Sequence, residues 1–129
     1  IHILGIGGLD DILHGVSSGY DTFDCVSPTR IARHGIMMSK LSSKGINLNN
    51  SKFKDDHSSI DEGCELQEIN KFSKSYIHHL FKANEMLGMT ILSIYNIWFM
   101  NKFFEEIRLS INEDRFEEYK NKILSNLVE

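Results

Sequence analysis

The chain opens on an apolar run, Ile1 to Ile6, that shows no strict alternation and runs into the glycine cluster Gly5-Ile6-Gly7-Gly8. Such a run predicts a strand buried on both faces, as in a parallel sheet. Asp10 or Asp11 then caps a helix whose apolar stripe is Ile12, Leu13 and Val16, with Gly19 as its end. Tyr20 to Val26 reads as a second strand. Strand, short helix and strand in so compact a space define a βαβ unit with parallel neighbours. Two parallel strands need cover, so further strands are expected before Ile1. The absence of an initiator Met fits a truncated or excised piece.

Beyond Gly35 the pattern changes. Ile36 to Leu41 and Ile46 to Leu48 flank Ser42-Ser43-Lys44-Gly45, which predicts a hairpin turning at those four residues. Asn49 to Asn70 is polar and loop-like. The C-terminal half is helical. Phe72, Tyr76, Leu80, Ala83 and Leu87 repeat at helical spacing, with Gly88 as C-cap. A wide apolar face runs from Ile91 to Leu109, and its aromatic stripe of Tyr95, Trp98, Phe99 and Phe103 reads as core. Asn112 is placed as cap of a last helix bearing Phe116, Tyr119, Ile123 and Leu127.

Composition narrows the class. Hydrophobic residues are 41% and charged residues 25% of 129, ordinary values for a soluble domain. No apolar run reaches a membrane span, and the N-terminus lacks the marks of a signal peptide. Two cysteines are too few for a disulfide scaffold and fit a cytoplasmic location. The net charge of −4 conceals a block pattern. Residues 25–54 carry Arg30, Arg33, Lys40, Lys44, Lys52 and Lys54 without an acid, and residues 55–70 carry six acids without a cation. The basic block is either a phosphate-backbone footprint or a solvated face balanced by the acids that follow.

The chemistry gathers in Tyr20 to Gly35, YDTFDCVSPTRIARHG. Asp24 closes a predicted parallel strand, where α/β folds place their active sites, and is a candidate nucleophile, base or binding group, or else a turn residue. Pro28 starts a predicted basic loop with Arg30 and Arg33, which suit a phosphate or an internal salt bridge. The glycines at 5, 7 and 8 do not make a dinucleotide fingerprint, since Asp10 stands at the third glycine position. They either make a tight turn or let a flat ligand approach. Cys64, His57, His78 and His79 lack the paired spacing of structural zinc.

The stretch FDCVSPTRIARHG, preceded by HILGIGGLDDILHGVSSGYDT and followed by INLNNSKFKDD and SYIHHLFKANEMLG, resembles the tRNA-guanine transglycosylase family (queuine tRNA-ribosyltransferase) over essentially the whole chain. The resemblance implies α/β architecture: the last two strands of a (β/α)8 barrel in residues 1–34, an inserted subdomain in 35–71 with the hairpin and a zinc loop, and closing helices in 72–129. It implies exchange of guanine at the tRNA wobble position for a 7-deazaguanine. Asp24 falls on the family nucleophile, which attacks ribose C1′ and holds the tRNA covalently. Leu4 and Gly5 fall on the base pocket, and Arg30 and Arg33 on contacts to the anticodon-loop backbone. Implied partners are that loop, the guanine or 7-deazaguanine base, and a second copy or a separate N-terminal barrel half; no membrane is implied.

Two departures from the family pattern stand out. Its zinc ligands are three cysteines and a histidine. Cys64 matches the first, but Leu66, Ile69 and Tyr95 occupy the other three positions, so no zinc and no other cofactor is expected. The earlier strands, which carry the general base, are not in the sequence, so the chain alone is expected to be inactive. His34 and Leu9 are milder changes. The alternative reading is a non-catalytic partner subunit or an RNA-binding remnant.

Overall fold

The computed structural model describes residues 1–127. Its spine is a helix of 27 residues, Met86–Asn112. That length corresponds to about 40 Å of rise. Ile91 and Leu92, then Tyr95, Phe99, Phe103 and Ile107 at three- and four-residue steps, form its buried face. The predicted aromatic stripe is thus core: Tyr95 packs against both Trp98 and Phe99, and Phe103 against Phe104 and Tyr119.

The remaining elements are arranged around that spine. In chain order they are β1 (His2–Leu4), α1 (Leu9–Ser17), β2 (Thr22–Asp24), α2 (Ser27–Ala32), β3 (Ile36–Ser39), β4 (Ser42–Asn47), a 3₁₀ turn (Ser51–Phe53), α3 (Gln67–Asn70) and α4 (Lys74–Lys82). The spine is α5, and α6 (Phe116–Asn126) follows it. One hydrophobic cluster draws Leu9, Ile12 and Leu13 from the first stretch, Met37, Met38 and Leu48 from the hairpin region, and the apolar face of α5. α2, β3 and α4 pack on α5 directly.

β1 and β2 pair in parallel, as the βαβ pattern predicts, with Leu4 opposite Asp24. They are shorter than the apolar runs and not buried on both faces: Leu4 is 70% exposed. On one side Phe23 of this pair packs against Phe104 of α5.

Several sequence expectations need correction. Gly8, not an aspartate, occupies the N-cap of α1, and Asp10 and Asp11 sit in its first turn, where negative charge favours the helix. The stretch after Pro28 is a helix, not a loop. Pro28 falls in its first turn, where a missing N–H costs nothing. The hairpin turns at Lys40-Leu41, where Leu41 N donates to Ser39 Oγ, and Ser42 to Gly45 belong to β4. The register shifts between Met37 and Ser39, so β4 carries a bulge there. Gly45 takes φ +72 in that bulge, and a Cβ on it would lie 2.5 Å from the Met37 carbonyl oxygen.

The helix predicted to end at Gly88 ends earlier. Asn84 adopts φ 55 and separates α4 from α5. Gly88 lies buried inside α5, where a Cβ would meet the Phe81 ring at 3.0 Å. The buried face of α4 is Ile77, His78 and Leu80, while Tyr76, Ala83 and Leu87 are exposed. Asn112 ends α5 rather than capping α6, and Asp114 makes the break with φ 55. In both breaks a short polar side chain takes the left-handed conformation, at the first in place of the glycine expected there.

Candidate active site

The candidate site is built by the carboxyl ends of β1 and β2. Gly5 turns the chain away from the sheet at φ +75 while its N–H donates to the Asp24 carbonyl oxygen at 2.7 Å. Leu4, Gly5 and Asp24 are therefore neighbours at one edge. The returning loop then lies against Cys25. A Cβ on Gly7 would come within 2.7 Å of both Cβ and Sγ of that cysteine, so only glycine allows this approach. Cys25 Sγ accepts a hydrogen bond from Ser27 N at 3.3 Å, and Thr29 Oγ1 donates to the Val26 carbonyl at 3.2 Å. These bonds set the entry into α2.

A cavity of about 450 Å³ opens at this junction, with Gly5, Gly8, Asp11, Cys25, Ser27 and Arg30 in its lining. The structure thus joins two sequence-predicted site residues, Gly5 and Arg30, around one space. Leu4 and Asp24 sit beside Gly5, both exposed. Arg33 is exposed at the C-cap of α2 and does not line the cavity. Among the described residues no ion pair engages Asp24, Arg30 or Arg33, so the salt-bridge reading of the arginines finds no support. The acidic block is bound elsewhere: Asp56 to Lys74 and Glu65 to Lys102. Chemically, this edge offers an exposed carboxylate, a glycine loop permitting close approach, and a cation for an anionic ligand.

Two contributors escape the sequence reading. Asp11 reads there only as a capping residue, yet it lines the cavity because a βα turn always faces the carboxyl end of its strand. Asn96 reads only as an interruption of an apolar stretch. It is fully buried; its Nδ2 donates to the carbonyls of Pro28 and Ile36 at 2.9 and 3.1 Å, and its Oδ1 accepts from Met38 N at 2.8 Å. One side chain on α5 thereby ties α2 to β3. The available signal was a lone amide between Leu92, Phe99 and Phe103 on a buried helix face.

The zinc implied by resemblance fails on the chemistry of its donors. Cys64, Ile69 and Tyr95 are buried in the hydrophobic cluster, and Leu66 packs against it. Tyr95 Oη donates to Asp61 Oδ2 at 2.8 Å, and burial, first, and that bond hold its phenol well above the ordinary tyrosine range. Burial likewise raises the Cys64 thiol. Only one of the four positions carries a metal donor, and among the described residues no group of three or more His, Cys, Asp or Glu could hold a metal ion. Two of the three candidate histidines are engaged elsewhere, His78 Nδ1 lying 2.7 Å from the Leu48 carbonyl oxygen and His57 Nδ1 3.1 Å from Ser75 Oγ, while His79 is exposed on α4. Cys25 and Cys64 are free thiols.

A parallel strand pair with its polar groups collected at the carboxyl edge, backed by helices, marks this as an α/β chain of the kind that hosts ligand chemistry at strand ends. No helix among the described residues is long and apolar enough to cross a membrane. The family profile described as queuine tRNA-ribosyltransferase matches residues 1–129. The queuine tRNA-ribosyltransferase of Clostridium acetobutylicum is 47% identical over 124 residues, covering 96% of this chain and 32% of the relative. The proteins of the same name from Clostridium tetani and Dictyoglomus turgidum are 44% and 41% identical, over 98% of this chain and 33% and 32% of their own lengths. The chain belongs to the queuine tRNA-ribosyltransferase family, a pentosyltransferase family. It spans about a third of the length of the curated relatives it matches.

Proposed function

We propose that this chain is the C-terminal part of a tRNA-guanine transglycosylase, in which 1–34 supplies the last two βα units of a (β/α)8 barrel. On this reading 35–71 is the inserted subdomain with a degenerate zinc loop, and 72–129 closes the barrel. Asp24 attacks ribose C1′ of the wobble nucleotide as guanine leaves, forming a covalent glycosyl ester that the incoming 7-deazaguanine then displaces. A carboxylate nucleophile suits a bond that breaks through an oxocarbenium-like transition state. Leu4 and Gly5 line the base pocket beside it, and Arg30 and Arg33 hold the anticodon-loop backbone. The observation that carries the reading is the register of Leu4 with Asp24, which puts an exposed carboxylate at a cavity edge that also presents Arg30.

Alone, the chain is inactive, because a two-stranded edge with exposed Ile1, Leu4 and Val26 does not enclose a base. The active form includes an N-terminal barrel half, and a second copy is a further candidate partner. The test is a chimera in which this chain replaces the last third of the Clostridium acetobutylicum relative. Guanine exchange into unmodified tRNA is expected from the chimera and not from Asp24→Asn. Exchange that survives Asp24→Asn would sink the assignment, as would turnover by the isolated chain for the claim of inactivity. A second reading, an RNA-binding remnant, draws on Arg30 and Arg33, which make no ion pair among the described residues. It predicts salt-dependent tRNA binding by the isolated chain.

A further inference from the structure

A second cavity of about 400 Å³ adjoins the strand-end cavity and shares Gly7, Gly8 and Ser27 with it. It runs from that junction across α2 to the β4 bulge, where Ser42, Ser43 and Lys44 form its far wall. The bulge breaks the strand alternation, so that Ser43 and Lys44 are both exposed in succession. No carboxylate lines this cavity; Asp11 lines only the first. Lys44 makes no ion pair among the described residues, whereas the other hairpin lysine, Lys40, is neutralised by Glu106 at 2.6 Å. Leu9, Ile31, Ile36 and Met38 give the cavity an apolar lining, and hydroxyls, glycine backbone and Lys44 complete it. Beside the proposed nucleotide site, that mixture suits a single RNA strand, with the base against the apolar side chains and ribose and phosphate at the polar ones.

We propose that the groove between the Gly7-Gly8 turn, Ser27 and the Ser42–Lys44 bulge is a second anion subsite for single-stranded RNA, holding the backbone phosphate of a nucleotide adjacent to the one at Asp24. Lys44 supplies the charge, and the serines of the bulge and of α2 supply hydrogen bonds to phosphate and ribose. The proposal rests on the tRNA reading above and extends it to a part of the chain that the family motif does not contain.

The test measures binding of the full 129-residue chain to an unmodified RNA stem-loop with guanine at its wobble position, across a salt series. Lys44→Ala is expected to weaken binding and to reduce the slope of log K against log salt by about 0.7–0.9, the value of one lost phosphate contact. Lys44→Arg is expected to keep the slope, and so is Lys52→Ala, whose ammonium stacks over the Phe53 ring. Lys44 is exposed, so thermal unfolding midpoints of all variants should agree with the wild type and confirm that each is folded. An unchanged slope in Lys44→Ala, or an equal loss in Lys52→Ala, overturns the subsite while leaving the tRNA reading standing. Wild-type protein whose binding shows no salt dependence overturns both.

Discussion

Tyr95, where the family resemblance implies a zinc-binding histidine, serves packing and one hydrogen bond instead. Its ring fills the core between Trp98 and Phe99, and its hydroxyl reaches Asp61, whose other carboxylate oxygen accepts from Gly63 N at 2.9 Å. The 61–64 turn is thereby tied to α5 by a charge-assisted hydrogen bond. Tyr95→Phe is expected to cost about 2 kcal/mol, the range for hydrogen bonds to charged groups, read as a lower urea midpoint at constant m-value. Chelators should change neither protein. The folded phenol is held above its ordinary value of 10.0. The tyrosine therefore stabilises the fold fully below that pH and loses its contribution as pH rises beyond it, where the unfolded chain ionises first. Wild-type stability should thus fall more steeply than that of Tyr95→Phe between neutral pH and the alkaline limit; parallel curves would show that the bond carries no such coupling. That Leu66, Ile69 and Tyr95 offer no thiol or imidazole is read directly from the sequence. The partnership with Asp61 is not, because it spans 34 positions and leaves no local pattern.

At the scale of elements, the hairpin separates what periodicity predicts from what it cannot. Two strands and a reversal between them follow from the apolar pattern, but the position of the turn and the register do not. The sequence placed the turn on the polar cluster Ser42 to Gly45, whereas the chain turns two residues sooner and uses the glycine for a bulge. The deciding contact is between Gly45 and the Met37 carbonyl, a distance no composition rule contains. Gly45→Ala is expected to destabilise by about 2 kcal/mol or more, combining a strained positive φ with a backbone clash. It should also shift the amide resonances of β3 and β4 together. A stable variant with unshifted resonances would mean the bulge is not pinned there. The same limit explains the helix ends. Asn84 and Asp114, not Gly88 and Asn112, make the breaks, because Gly88 is required for close packing against Phe81. The most legible part of the chain was the parallel pairing of the first two strands, because the βαβ pattern alone brings Leu4, Gly5 and Asp24 to one edge. The position of Arg30 was not legible, because the stretch read as a loop is α2.

For the whole molecule, the division of labour between α5 and the strand pair matters most. α2, β3, α4 and α6 all lean on one helix, and Asn96 adds buried polar ties from it to two of them. β1 and β2 lean mainly on each other, with only part of their side chains against Phe104 and the α1 stripe. Distant parts that share one buried helix face open together, whereas an edge with few buried contacts opens by itself. Native-state hydrogen exchange should therefore sort this protein into two clocks. Amides of α5, α2 and β3 should exchange only with global unfolding and share one free energy and one denaturant dependence. The Gly5 amide bonded to Asp24 should exchange far sooner, with little denaturant dependence, through fraying that leaves the helical body intact. Equal protection at both places would mean that the strand ends are as rigid as the spine. With unequal protection, the groups proposed to do chemistry ride on the part of the molecule that opens first, and an N-terminal half that docked there would be seen as a slowing of that faster clock alone.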